Sequence, residues 1–366
     1  QAIIYVVVFA ILSLSIIFSS RLQIALMLKP DMTKVNKNGL TVHFVDVGQG
    51  DATLIRFPNN KTMIIDSGSV DAKPNLVNYI NNVFFSGYNK HFDYVMLTHP
   101  DSDHMGNMVH ILQNYSVGTL LRPNIVAKGL ELGADNVYAS SDEEYLRLVA
   151  LAYQKNIAMK FVTNTTVLAD ISSYMRILSP IKSTYDNDNS FSPMLMISHN
   201  NTKILLTGDA TIENEIEVIN TYNTSKLDCD ILKLAHHGAN TSTSDQFLNI
   251  VTPSVGVISY GKDNSYLHPS SETLTRINNY SQNNNVDLIN NIYETAKQGN
   301  IIFNIDQNDY SITTIKNIND YIFVDYYVVV LITEAILFIT IVLPNRLVFP
   351  AQQGSFSRKI FYIIFL

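Results

Sequence analysis

The chain has no tryptophan and one cysteine, Cys229, in 366 residues. A lone thiol excludes an internal disulfide and says little about compartment. Charge is scarce as well, at 16% of residues, and acidic side chains outnumber basic ones by 32 to 25 for a net charge of −7. That balance leaves no overall basic footprint, so contact with nucleic acid has to come from a local patch. No short-period repeat is visible.

Apolar residues, by contrast, are plentiful. At 46% of the chain they suffice for a large core, and the length allows one to three domains. They are unevenly spread. Ala2 to Ser20 is uncharged and mostly apolar up to Arg21, about the length that spans a bilayer. It lacks an initiating Met, a basic n-region and a clear small-residue cleavage site, which argues against a signal peptide. A second run, Tyr326 to Leu343, is broken only by Glu334, and a third, Ile360 to Leu366, follows Arg358 and Lys359. An acidic residue in mid-span needs a partner or a wet cavity. We therefore expect a transmembrane segment in 1–29, a soluble domain in 38–317 and one or more membrane segments in 322–366, as in a piece of a larger membrane protein. Flanking charge conflicts on topology: Arg21, Lys29, Lys34 and Lys37 place the domain in the cytoplasm, whereas Arg346, Arg358 and Lys359 place it outside.

Within 38–317 the pattern is α/β. Strand-like runs fall at 40–47, 52–57, 61–66, 93–97, 159–162, 174–178, 194–198, 203–207, 230–235, 255–260 and 300–304. Helical patterns fit 74–83, 105–113, 142–154, 211–222, 244–250 and 270–278, and the Asn-rich run Ser281 to Asn285 reads as a loop. Hairpins come early and strand–helix alternation late, which suggests two packed sheets with helices outside rather than one doubly wound sheet.

The polar residues with chemical potential gather at the ends of these strands. Thr98-His99-Pro100-Asp101-Ser102-Asp103-His104-Met105-Gly106 sits between a strand and a helix pattern and brings four potential metal ligands within six residues. A turn cannot bury that many charges unpaired, and a divalent cation satisfies them together. Upstream, Asp46-Val47-Gly48-Gln49-Gly50-Asp51-Ala52 links two strands through glycines, with Asp51 and Gln49 able to face a cleft. Ile65-Asp66-Ser67-Gly68 ends a buried strand with a carboxylate that can take a ligating histidine's free N–H. Downstream, Thr207-Gly208-Asp209 offers a carboxylate able to bridge two metals. His236-His237-Gly238 ends another apolar strand, and either histidine can ligate. His268, in Tyr266-Leu267-His268-Pro269, reads equally as a site residue or a surface loop residue. His43, His91, His110 and His199 have no ligand partners nearby and read as structural.

HxDxDHxG at His99 to Gly106, TGD at 207–209 and HHG at 236–238 resemble the metallo-β-lactamase superfamily. DVGQGDA at 46–52, IDSG at 65–68, Asn189-Ser190 and NSYLHPS at 264–270 more narrowly resemble the C-terminal domain of the ComEC competence proteins, over roughly residues 40 to 305. The resemblance implies an αββα sandwich carrying a two-metal hydrolase site. It further implies attachment to a DNA-uptake channel in the inner or plasma membrane, working with other machinery components on the outer or periplasmic face. The domain would degrade the single-stranded DNA that is not imported. Asp101 stands where the superfamily usually has His, no third-motif histidine is evident near Asn189, and Asn107, Ala235 and Ala239 replace common neighbours.

On this reading His99, Asp101, Asp103, His104, Asp209 and His236 hold one or two divalent ions, with Asp66, Asp51 and Asn189 behind them. Asp103 and Asp209 carry the hydrolysis, and His237 or His268 binds the phosphate or protonates the leaving group. Three carboxylates and no thiol make a hard site, so Mn²⁺ or Mg²⁺ is favoured and Zn²⁺ is possible. The alternatives are a small-substrate metallo-hydrolase acting on a lactone or phosphodiester, and a catalytically silent domain of a truncated channel.

Overall fold

The computed structural model describes residues 39–125, 140–307 and 309–315. The membrane segments expected in 1–29 and 322–366 lie outside these residues. Among the described residues no helix is long and apolar enough to cross a membrane.

Fourteen described strands form two sheets. The first contains β1 (Leu40–Phe44), β2 (Thr53–Arg56), β3 (Thr62–Ile65), β4 (His91–Met96), β5 (Ser116–Arg122), β6 (Ala158–Phe161), β13 (Asn300–Ile305) and β14 (Tyr310–Ile315). Their spatial order is β14-β13-β1-β2-β3-β4-β5-β6, antiparallel as far as β3 and parallel beyond it. The second contains β7 (Met175–Ile177), β8 (Leu195–His199), β9 (Thr202–Leu206), β10 (Ile231–Lys233), β11 (Val255–Ile258) and β12 (Ile292–Glu294), in the order β12-β11-β10-β9-β8-β7. Here β9 to β12 run parallel.

The two-residue period of a strand decides which side chains meet. Leu40, Val42 and Phe44 of β1 and Ile204 and Leu206 of β9 point into one shared core between the sheets. Leu54 of β2 and Leu205 of β9 face outward to separate layers of helix. α1 (Lys73–Tyr79), α2 (Ser102–Met105), α3 (Met108–Asn114) and α4 (Ser140–Gln154) cover the first sheet through Leu76, Met105, Ile111 and Leu148. α5 (Ile212–Thr221), α6 (Asp245–Val251) and α7 (Ser271–Asn284) cover the second through Val218, Phe247 and Ile277. A short α8 (Thr295–Gln298) precedes β13. The result is an αββα sandwich.

His43 belongs to this scaffold. Its Nδ1 lies 2.9 Å from the Tyr79 hydroxyl and its Nε2 3.1 Å from Thr41 Oγ1, and burial, aided by Arg56, pushes its pKa down to about 3. The expected loop at Ser281 to Asn285 is instead the end of α7, which stops at Asn285 in the left-handed conformation (φ 53°). Ile277, Tyr280 and Ser281 are buried, and that packing outweighs the weak helix preference of the Asn-rich sequence.

Candidate metal centre

β3 and β4 of one sheet and β9, β10 and β11 of the other end at the same edge of the sandwich, and the polar residues that follow them converge there. Asp66, just after β3, is fully buried. Its Oδ1 accepts the Thr98 backbone N–H at 2.9 Å, and its Oδ2 accepts the Thr98 hydroxyl at 2.7 Å and His104 Nδ1–H at 2.8 Å. With its own hydrogen committed to Asp66, Thr98 Oγ1 can only accept from His99 Nδ1–H, 3.0 Å away. One carboxylate thus fixes the tautomer of two histidines, leaving Nε2 of each bare and facing the cleft. His237 reaches the same state independently, its Nδ1–H donating to the Ser259 carbonyl at 2.8 Å.

Three bare Nε2 atoms then surround Asp209. Its Oδ2 lies 3.2 Å from His104 Nε2, 3.4 Å from His237 Nε2 and 3.9 Å from His99 Nε2. Asp103 Oδ2 is 3.4 Å from His237 Nε2. His104 Nε2 and His237 Nε2 face each other across 3.3 Å, an arrangement in which two lone pairs repel unless a cation or proton sits by them. His99 Nε2 and Asp209 Oδ1 are buried without a hydrogen-bond partner, each at a cost of roughly 1–3 kcal/mol if nothing binds there. Charge tells the same story. Burial opposes protonation of His237, but Asp209, Asp103 and Asp51 outweigh it and hold the pKa up to about 10. His104 is likewise raised, burial being overcome by Asp209 and Asp66. Asp103 and Asp209 stay below the usual carboxylate range, because the neighbouring histidines overcome the opposing effect of burial.

The cluster therefore demands positive charge, and its donor groups fit a divalent metal. His99, His104 and Asp209 can share one ion, and so can Asp103, His104 and His237, or Asp51, Asp209 and His237. Asp101 stands at the mouth with its side chain 50% exposed, Oδ2 3.5 Å from His99 Nε2. His236 is on the rim: its Nδ1 is 3.0 Å from Thr241 Oγ1, its Nε2 is 3.4 Å from the Asn189 amide and 3.8 Å from Asp209. His268 packs beside both members of the pair, with ring centroids 5.8 Å from His236 and 5.9 Å from His237. Its pKa falls to about 4, through burial first and then the charges of His237 and His236.

Sequence reasoning passed over Lys233. This lysine ends β10 in the buried interior and pairs with Asp51, Nζ to Oδ2 2.6 Å. The signal was available, since a charge inside the apolar run 230–235 must have a partner. The same loop supports the ligands from below. Gly50 (φ 124°) lies so close to Asp103 that a Cβ there would come within 2.1 Å of the Asp103 carbonyl, and the Asp51 N–H donates to that carbonyl at 3.2 Å. Asn107 takes over where a second glycine was expected, its amide donating to the Ser67 and Ser69 carbonyls at 2.8 and 2.6 Å.

A sandwich with this cluster at its edge is the arrangement of one large class of hydrolase. The sequence model of the metallo-beta-lactamase superfamily matches residues 45–262, and the chain belongs to that superfamily. It is also similar to several curated proteins. It is 29% identical over 253 residues to ComE operon protein 3 of Bacillus subtilis (strain 168), covering 66% of this chain and 31% of that protein. Competence protein ComA of Neisseria gonorrhoeae is 28% identical over 253 residues (68% and 31%), and Recombination protein 2 of Haemophilus influenzae 28% over 250 residues (68% and 27%). The match spans less than a third of each relative's length.

Proposed function

We propose that this domain is a metal-dependent phosphodiesterase of DNA uptake. It would be held at a membrane by the apolar segments in 1–29 and 322–366 and degrade the non-imported single strand on the outer or periplasmic face. The observation that carries the hydrolase reading is Asp209, with one oxygen among three pinned imidazoles and the other buried without a partner. A carboxylate so placed can serve two ions at once. The names of two relatives, a competence protein and a recombination protein, support DNA as the substrate.

His99, Asp101 and Asp209 would hold one ion, and Asp103, His104, His237 and Asp209 the other. Divalent ions held there would supply Lewis-acid polarisation of a phosphoryl oxygen and a readily deprotonated attacking water. Asp66 keeps His99 and His104 in one tautomer throughout. Asp51 lends its charge to Lys233 and His237 from behind. His236 and His268 flank the opening, where a neutral imidazole still donates one hydrogen bond to a phosphate oxygen. Asn189, against His236, holds that side of the rim.

The ligand set is rich in oxygen, so Mn²⁺ or Mg²⁺ suits catalysis better than Zn²⁺, although Zn²⁺ binds more tightly at almost any such site. The test strips the full chain with a chelator, reloads it with Mn²⁺ or Zn²⁺, and assays a single-stranded oligonucleotide beside a small diester and a lactone. Cleavage of DNA restored best by Mn²⁺ is the expected outcome. Activity confined to the small substrates would favour the small-substrate hydrolase, and a chain that retains no metal would favour a silent domain.

A further inference from the structure

Between β11 and α7 the chain makes a tight loop beside the candidate metal centre. Asn264 ties it: Oδ1 accepts the His268 backbone N–H at 2.9 Å, and Nδ2 donates to the His268 and Gly261 carbonyls at 2.8 and 3.0 Å. The side chains at the loop's tip take no part in this bonding. Tyr266 is nevertheless 67% exposed and Leu267 81% exposed, and Leu267 adopts a left-handed conformation (φ 58°) that is sterically disfavoured for such a residue. Backbone held in this way by its surroundings is a mark of functional loops.

The Tyr266 ring is not placed at random. It stacks on His268 with centroids 5.6 Å apart and planes 19° apart. His268 stacks in turn on His237, 5.9 Å away at 27°, and His237 Nε2 lies 3.4 Å from both Asp103 and Asp209. Three near-parallel rings therefore lead from solvent to the cluster, and the outermost, Tyr266, is two-thirds exposed. An exposed aromatic ring at the end of such a ladder suits a flat π-system lying parallel to it. It does not suit a phosphate, which needs N–H donors or cations.

Resting on the reading of the site as a DNA phosphodiesterase, we propose that Tyr266 is the platform on which one base of the single-stranded substrate stacks, beside the phosphodiester to be cut. Stacking is tolerant of sequence because every base has a π-face. Tyr266 thereby selects for a nucleobase without selecting which one. Lys262, exposed at the start of the same loop, supplies a positive charge for a neighbouring phosphate.

The test compares two single-stranded oligonucleotides, one complete and one carrying abasic nucleotides throughout, on the full Mn²⁺-loaded chain. KM for the wild type is expected to rise roughly tenfold on the abasic strand, the weight of one stacked base. In Tyr266→Ala the ratio of the two KM values should collapse to about one, and in Tyr266→Phe, which keeps the ring, it should persist. A wild type that cuts both strands with equal KM, or a Tyr266→Ala variant that still distinguishes them tenfold, overturns the proposal and leaves the nuclease reading standing. A wild type that hydrolyses a small diester but neither oligonucleotide overturns the nuclease reading and this inference with it.

Discussion

Around Asp209 the donors divide into two sets. His104 and His237 are buried, their Nδ1 atoms committed to Asp66 and to the Ser259 carbonyl, and Asp103 closes over them from α2, backed by Gly50. On the other side His99 is as well pinned, but its neighbours are not: Asp101 is half exposed, and His236 is 24% exposed and turned to Asn189 and Thr241. Preorganised donors give up little freedom on binding, whereas exposed ones must be ordered first. On the proposed two-ion reading, this difference would make one position tight and the other loose around a shared carboxylate. The buried position is expected to fill first and the open one to exchange with solution.

The most drastic way to break this asymmetry is to remove what both positions share. Asp209→Ala is expected to lower kcat/KM on the order of 10³-fold and to leave neither ion tightly held, with the circular dichroism spectrum intact because no apolar core is emptied. Asp103→Ala should come close to it in activity while keeping an ion at His99. Metal analysis of the two folded variants checks this, and undiminished cleavage in either would remove the assignment.

The paired histidines sharpen the contrast. His237→Ala is expected to cost about 10²-fold in kcat/KM and the tighter metal equivalent, and His236→Ala about tenfold with that equivalent retained. Equal losses in both, measured by steady-state kinetics alongside metal titration, would erase the distinction between interior and rim.

A gentler probe is Asp66→Asn, which swaps an acceptor for a group that can no longer take both hydrogen bonds at Oδ2. Metal affinity should fall about 10- to 100-fold, at both positions, because His99 is reached through Thr98. A loss at only one would mean that Thr98 does not transmit the tautomer.

The smallest effect is reserved for the open side. Asp101→His adds an imidazole at the mouth and is expected to tighten binding of the second Zn²⁺ by about tenfold with the first unchanged, as read by competitive titration against a chromophoric chelator.

Much of this was legible in the sequence because buried charge is expensive and clusters of it advertise themselves. His99, Asp103, His104 and Asp209 all end or follow apolar strands, and the structure brings them within hydrogen-bonding range of one another's neighbours. The choice within His236-His237 was not legible. Alternation along a strand gives no guidance there, since β10 stops at Lys233 and both histidines take left-handed φ, 52° and 54°. β5, β12 and β14 were missed for different reasons. β5 begins with the polar, half-exposed Ser116 to Thr119 before Leu120 and Leu121, β12 is three residues long, and β14 carries Ser, Thr and Thr as an edge strand that buries little. Such strands exist because a neighbour offers them hydrogen bonds, which no local pattern records.

The residues proposed to hold the buried ion come from strand ends of both sheets, Asp103 and His104 after β4, Asp209 after β9 and His237 after β10. An ion held there would rivet together two layers that share an apolar core and, at this edge, the Lys233–Asp51 ion pair. Ligand binding to the native state alone adds RT ln(1 + [L]/Kd) to its stability, so on this reading ambient metal would set how long the chain lasts as well as how fast it works. Where metal is scarce, the same molecules would open more often at this edge and be the first offered to proteases.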